Sequence, residues 1–580
     1  MLSHRLQKLA AYLRPHWRRM LLGILALFVV NAFSAYIPRL IGQSIDKAFR
    51  SFGQIWPYAV GILALASVMW GIRMLSRVWI FGVGRRVEFD LKQKIFQHLL
   101  RLEPAYFSTT TLGDLITRAT SDVDEIRRLV GFAVLSLVNT VFAYAWTLPF
   151  MLLIDFKLTL LAILPYPLIL IAVGLFSNRL RNQQREVQER LSDASELIQE
   201  DMSGISLIKI YAQERYERHA FNQRNQRLLG ANLKLARTRN LLFPLIEGLA
   251  SLSLLLLLWF GAGALASGDI SNGDLISLIL YAQRLVFPIA TLGFTITAYQ
   301  RGEVSVDRVE AILNAQPKIQ NAAGAMELPP ETVSGQLQAR QLSYTYPGAD
   351  APALNEIDFL IEPGETVAIV GSIGSGKSTL ASALPRLLDL EQGQLFLDGN
   401  DVTKVKLQDL RSAIAYVPQD SFLFSTTIQD NIRYGKPFEE YPEIEYAAKQ
   451  AQIHPEILNF PTQYDTIVGE RGITLSGGQR QRTSLARALL VDASVLILDD
   501  ALSSVDNQTA TQILNNLSGG RERKTVIFIS HQLSAAAQAD RIFVMDAGEI
   551  VQIGSHTELL QSPGLYQSLW KQNQLEEVLR

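Results

Sequence analysis

The run Gly371-Ser372-Ile373-Gly374-Ser375-Gly376-Lys377-Ser378 has the spacing GxxxxGKS, and its chemistry is that of gripping a phosphate. Glycines let the backbone approach closely, so N–H groups from Gly371 to Gly376 can surround the β-phosphate of a nucleotide. Lys377 then reaches the β- and γ-oxygens, Ser378 offers a hydroxyl to Mg²⁺, and Thr379 continues the same turn. A site of this kind also needs a carboxylate at the end of a buried strand to hold the metal through water. Ser494-Val495-Leu496-Ile497-Leu498-Asp499-Asp500 supplies one, with Asp499 as the metal candidate.

These residues act together only if strands and helices place them. Glu365 to Val370 reads as an apolar strand feeding the glycine-rich turn, and a helix follows it. Thr525 to Ser530 reads as a further strand, and Leu342 to Tyr346 alternates as a half-buried strand does. Everything after about Arg340 has this character of alternating short strands and helices. The earlier part does not. Crossing a hydrocarbon layer takes about 20 apolar residues, and stretches near Met20–Pro38, Trp56–Phe81, Leu129–Ile154, Leu158–Ser177, Leu241–Ala266 and Leu275–Ala298 approach or exceed that length. The first of them is longer than the core of a secretory signal peptide. The expected organisation is an all-α transmembrane domain over residues 1–300, a linker over 301–334, and an α/β phosphate-binding domain with an antiparallel part and a helical insert over 335–580.

The chain has 580 residues, enough for several domains, and 48% of them are hydrophobic, which excludes a disordered or collagen-like polymer. A net charge of −1 gives no electrostatic case for a nucleic-acid partner. There are no cysteines, so disulfides, thiolate metal sites and cysteine nucleophiles are excluded. Positive charge is sorted among the loops. Arg5, Lys8, Arg14, Arg18 and Arg19 precede the first span, and Arg85, Arg86, Lys92, Lys94, Arg101, Arg118, Arg127 and Arg128 lie between the second and third. Residues 178–240 are richer still, whereas Ser267 to Gly273 holds Asp269 and no Lys or Arg. By the positive-inside rule the N-terminus and the two long polar connections face the cytoplasm. Residues 178–240 are expected to form two antiparallel helical arms, each projecting roughly 40 Å. Arg73 and Arg77 fall near the cytoplasmic boundary of a span, where long side chains snorkel. Glu247 and Arg284 also fall within spans, and either is a candidate to line a polar cavity between helices.

Between the two phosphate-site motifs lies Leu475-Ser476-Gly477-Gly478-Gln479. LSGGQ is the signature of ATP-binding cassette (ABC) proteins, and with the glycine-rich turn before it and the acidic strand after it this half resembles an ABC ATPase domain. The six spans and their arms resemble those of an ABC exporter half-transporter, so the likeness covers nearly the whole chain. At a helix N-terminus, Ser476, Gly477, Gly478 and Gln479 present N–H groups and a favourable dipole to a phosphate. The resemblance implies that this phosphate belongs to ATP on a second ATPase domain. The chain has one GxxxxGKS, so two composite sites need two chains. The resemblance further implies that Tyr346 stacks on adenine, that Gln419 touches Mg²⁺ and senses the membrane domain, and that His531 contacts the γ-phosphate. It implies that Ser503-Ser504-Val505-Asp506 links the two sites, that Gly469-Glu470-Arg471-Gly472 contacts the cytoplasmic arms, and that Phe107 to Leu115 is the first coupling turn.

One position departs from the family pattern. The usual general base is a glutamate directly after the metal aspartate, and here it is Asp500. An aspartate there is similar to the weak-site half of heterodimeric bacterial multidrug exporters. The expectation is an ATP-driven translocase subunit in the bacterial inner membrane, with ATP and Mg²⁺ as cofactors. A second half-transporter is its partner, a heterodimer before a homodimer, and a hydrophobic or amphipathic small molecule is its cargo. Import of metal chelates and ATP-gated regulation or channel activity remain open alternatives.

Overall fold

The computed structural model describes residues 2–48, 55–505, 507–518 and 524–579; Asp506 lies outside the described residues. The six apolar stretches fall in six helices long and apolar enough to cross a membrane: α1 (Gln7–Ala48), α2 (Trp56–Leu99), α3 (Leu112–Ile154), α4 (Phe156–Ser203), α5 (Glu214–Ser267) and α6 (Asn272–Leu313). Each runs well past its apolar part, so the polar connections are helical, as expected. The arms of α4 and α5 are joined through the short helix Ile205–Ile210. Lys234 pairs with Glu186 across them at 3.0 Å, and Arg224 donates to the Asp193 carbonyl at 3.2 Å.

The chain divides into two units, Met1–Leu100 with Leu112–Ala315, and Arg101–Thr111 with Gln316–Arg580. In the first, a core of Met151, Leu158, Ile169, Leu278 and Leu285 joins α3, α4 and α6. Buried hydroxyls inside it are satisfied by backbone: Tyr166 donates to the Ala282 carbonyl at 2.7 Å and Tyr281 to the Ala35 carbonyl at 2.8 Å. Large apolar side chains such as Trp56, Trp70, Leu153 and Trp259 are exposed instead, the arrangement a lipid solvent tolerates and water does not. The residues expected to start the linker, Arg301 to Leu313, continue α6 as helix.

In the second unit, β1 (Leu337–Tyr344), β2 (Leu354–Ile361), β4 (Leu395–Leu397) and β5 (Asn400–Asp401) form an antiparallel sheet in the order β2-β1-β4-β5. A six-stranded sheet has the order β10-β9-β3-β8-β7-β6. Its strands are β3 (Thr366–Gly371), β6 (Ile414–Val417), β7 (Val495–Asp499), β8 (Thr525–Ile529), β9 (Arg541–Asp546) and β10 (Glu549–Gly554), all parallel except β10. Alternate residues serve two cores. Ala368, Val370, Leu496 and Leu498 face one, and Val367, Ile369, Val495 and Ile497 face the other. Burial on both faces explains why these strands read as unbroken apolar runs. It also means that only their ends are free for chemistry, and β3, β7 and β8 all end at the same edge of the parallel sheet, where α/β sheets place their ligands. The segment expected as a coupling turn is a short helix, Pro104–Thr109, followed by a break before α3; Glu103 just ahead of it accepts from the Lys318 backbone N–H at 3.1 Å.

Candidate active site

A pocket of about 370 Å³ opens at that edge, lined by residues that β3, β7 and β8 deliver: Ile373 to Thr379, Gln419, Asp499, Asp500, Ile529 and His531, with Tyr346 and Ala353. The glycine-rich turn leaves β3 and enters α7 (Lys377–Ala383). Gly376 sits at φ +96°, a conformation that side chains disfavour, and a Cβ there would lie 2.5 Å from the Ala353 carbonyl oxygen. The turn therefore requires glycine on two grounds. Lys377 Nζ curls back into it, donating to the carbonyls of Gly371 at 3.0 Å and Ser372 at 2.7 Å. Its side chain is buried. Burial lowers the ammonium pKa, and the Asp500 and Asp499 carboxylates oppose that shift. Ser372 is anchored through its hydroxyl to Asp546 at 2.8 Å.

Ser378 Oγ donates to Asp499 Oδ1 at 2.9 Å, so the hydroxyl at the head of α7 and the carboxylate at the end of β7 converge on one point. Asp499 is only 2% exposed. Burial pushes its pKa up, and hydrogen bonds from Ser378 and Tyr416 pull the other way. A buried carboxylate held beside a hydroxyl suits a hard cation with oxygen ligands. Among the described residues no cluster of three or more His, Cys, Asp or Glu could hold a metal, so an ion here would draw most of its ligands from phosphate and water.

Gln419 and His531 reach the pocket as exposed side chains. Tyr346 lies two residues past the end of β1, its hydroxyl 3.3 Å from Thr379 Oγ1 and its ring edge-on to Tyr344. Asp500 occupies the left-handed region at φ +49°, which Asp tolerates better than most residues. Its N–H donates to the Ile529 carbonyl at 3.2 Å.

Ser476, Gly477, Gly478 and Gln479 are not among the residues lining this pocket. They open α8 (Gly477–Leu490) through a reciprocal cap: the Gln479 N–H donates to Ser476 Oγ at 3.2 Å and the Ser476 N–H to Gln479 Oε1 at 2.9 Å. A Cβ on Gly478 would meet the Ser504 carbonyl oxygen at 2.8 Å, so the signature turn packs directly on the segment after Asp500.

Two contacts have no counterpart in the motif reading. The Tyr416 hydroxyl donates to Asp499 Oδ2 at 3.1 Å, because β6 pairs with β7 in a register that sets Tyr416 opposite Ile497. Buried Gln481 donates to the Asp500 carbonyl at 3.3 Å and to Ser503 Oγ at 3.0 Å, and accepts from the Ser504 N–H at 2.9 Å. It thereby ties α8 to the loop that follows β7. Within the membrane unit Arg73, Arg77 and Arg284 line one cavity, while Glu247 lies on an exposed face of α5.

Six membrane-length helices joined to a parallel sheet with a phosphate-gripping turn define an ATPase built onto a membrane domain. Comparison with known proteins agrees. Residues 20–289 match the family described as ABC transporter transmembrane region, and residues 354–503 match the family described as ABC transporter. The multidrug resistance-like ATP-binding protein MdlA of Escherichia coli (strain K12) is 35% identical over 577 residues, covering 99% of this chain and 97% of that protein. The probable multidrug resistance ABC transporter ATP-binding/permease protein YheI of Bacillus subtilis (strain 168) is 33% identical, covering 98% of each. An ATP-dependent lipid A-core flippase of Thiobacillus denitrificans (strain ATCC 25259 / T1) is also 33% identical over 98% of each chain. The solved structure of a bacterial Atm1-family ABC exporter with ATP bound superposes with a TM-score of 0.79 at 25% identity, covering 96% of this chain and 99% of that one. The chain belongs to the ABC transporter family, as a multi-pass exporter subunit whose membrane domain is fused to an ABC ATPase.

Proposed function

We propose that this chain is one half of a paired exporter that moves hydrophobic or amphipathic compounds, drug-like or lipid-like, out of the cytoplasm or the inner leaflet. The observation that carries the reading is the division of the ATP machinery within one chain. Phosphate-gripping and metal-facing residues meet in one pocket, while Ser476 to Gln479 stand apart from it. Each chain then holds the larger part of one site and the closing part of another. Ser476 Oγ accepts from its own cap, which leaves the hydroxyl proton to donate to a phosphate.

In this reading Tyr346 meets the adenine, the turn from Gly371 to Gly376 surrounds the β-phosphate, and Lys377 neutralises the β- and γ-oxygens. Ser378, Asp499 through water, and Gln419 hold Mg²⁺, whose charge offsets that of the phosphates. His531 contacts the γ-phosphate. Asp500 is the base that orients water, and as an aspartate it does so weakly, which favours a heterodimeric partner carrying the stronger base. Closure of two ATPase domains is passed through the arms to the spans, and hydrolysis resets them. The loop charges support a bacterial inner-membrane protein with its N-terminus and ATPase domain in the cytoplasm.

Inverted membrane vesicles test this directly. With the chain and its co-expressed partner, MgATP is expected to drive a lipophilic dye into the vesicle lumen against its gradient, and a non-hydrolysable ATP analogue is expected to give at most one binding-limited step. Uptake in right-side-out vesicles alone would reverse the direction, and equilibration without accumulation would make the protein a channel.

A further inference from the structure

The membrane unit contains a cavity of about 520 Å³ between α1, α2, α3 and α6 whose wall carries Arg73, Arg77 and Arg284 and no Asp or Glu. Arg284 lies roughly three turns into α6. Its guanidinium is held by neutral acceptors: Ser34 Oγ, the Asn31 carbonyl at 3.3 Å and Asn31 Oδ1 at 3.2 Å. Asn31 is itself buried and fixed, donating to the Leu27 carbonyl at 3.0 Å and to Asn139 Oδ1 at 3.1 Å. Arg73 donates to Met69 Sδ at 3.6 Å, a weak acceptor, and feels the charges of both Arg77 and Arg284. Arg39 of α1, by contrast, pairs with Asp274 at 3.1 Å. Arg284 and Arg73 are thus oriented by neutral groups, Arg73 is repelled by both of the others, and none of the three cavity arginines has a carboxylate partner among the described residues.

Charges in a membrane interior persist where they have a partner or a task. Geometry is satisfied here and charge is not, so an anion completes the site. The remaining wall mixes neutral polar residues, Asn31, Ser34, Ser136, Asn139 and Thr291, with apolar ones that include Leu27, Phe81, Phe132 and Phe287. Phe132 also borders a second cavity of about 410 Å³, where Arg128, Arg181, Arg239 and Arg301 outnumber one acid, Glu125. That acid already sits 3.6 Å from Arg128 and 3.9 Å from Arg301. The basic lining therefore continues from one chamber to the next.

We infer that the Arg73–Arg77–Arg284 cavity binds an oxyacid anion, a phosphate or carboxylate, carried on an apolar body. The anion is seated by the guanidinium forks and the body by the phenylalanines. As a statement about cargo this rests on the exporter reading; as a statement about binding it does not.

The test uses the full-length chain in phosphatidylcholine nanodiscs, with bound ligand counted by native mass spectrometry for three probes sharing an oleoyl chain: lysophosphatidic acid, lysophosphatidylcholine and monoolein. Lysophosphatidic acid is expected to bind at least about tenfold tighter than the other two. Arg284→Gln and Arg73→Gln should each weaken it on the order of tenfold and leave monoolein unchanged, while Arg284→Lys, which keeps the charge but not the fork, should fall between the parent and Arg284→Gln. Competition by inorganic phosphate alone would support the anion and assign it to a free solute. Displacement only by the lipid would support it as a headgroup. Equal binding of the three probes, or Gln variants that keep full affinity for lysophosphatidic acid, would overturn the inference and leave the arginines as partners for acids of the opposite subunit. A preparation that binds the anion selectively yet accumulates no solute would sink the exporter reading and leave this site standing.

Discussion

Lys377→Ala is expected to lower affinity for MgATP on the order of 100-fold and to abolish transport at physiological nucleotide. The ammonium is buried and anchored to the carbonyls of Gly371 and Ser372, so it is pre-positioned before nucleotide arrives and loses little entropy on binding. Hydrogen bonds to charged groups contribute about 1.5–3 kcal/mol each, and losing two to phosphate oxygens amounts to about 3 kcal/mol at the low end, about two decades in affinity. Against this stands the release of a buried charge, which burial already disfavours. That term stabilises the variant's fold and does nothing for the phosphate. Titration with a fluorescent ATP analogue therefore separates the two effects, and a folded protein with its nucleotide affinity lost is the expected result. Undiminished affinity would remove the turn from the nucleotide site.

Asp500→Glu is expected to raise the ATPase rate of the chain purified alone by roughly 100-fold, with KM for ATP little changed. Asp500 lines the pocket with the shorter of the two acidic side chains. The extra methylene advances the carboxylate by about 1 Å or more, and misplacement of that size costs on the order of 10²-fold in rate. The backbone works slightly against the change, since Asp500 sits at φ +49° and glutamate is less at ease there than aspartate. Activity and stability should therefore move in opposite directions, so a faster enzyme cannot be credited to a firmer fold. If the unmodified chain already hydrolyses ATP at the speed of the glutamate variant, the case for a stronger partner site fails.

Much of this was legible in the sequence because the signals are local. A hydrocarbon layer forces long apolar runs, and all six fall in long helices. Gly376, Lys377 and Ser378 are contiguous, so spacing alone reveals the phosphate turn, and the unbroken apolar residues of Val495 to Leu498 mark a strand buried on both faces with its acid at the end. Long-range placement was not legible. Tyr416 reaches Asp499 only through the register of two neighbouring strands, and Gln481 reaches the Asp500 carbonyl only through the rotation of α8. Arg73 and Arg77, read singly, look like snorkelling side chains at a membrane boundary. Their meeting with Arg284, some two hundred residues away, depends on how four helices pack.

The measurement that bears most directly on the whole account is photo-crosslinking in native membranes. Ile473 stands three residues ahead of Ser476, is 77% exposed and does not line the chain's own pocket. With a benzophenone amino acid at that position, irradiation in MgATP is predicted to join the chain to a second polypeptide at that partner's phosphate-binding turn, and irradiation without nucleotide is predicted not to. An adduct of equal yield in both conditions, or one found only within a single chain, would contradict nucleotide-driven closure between two subunits.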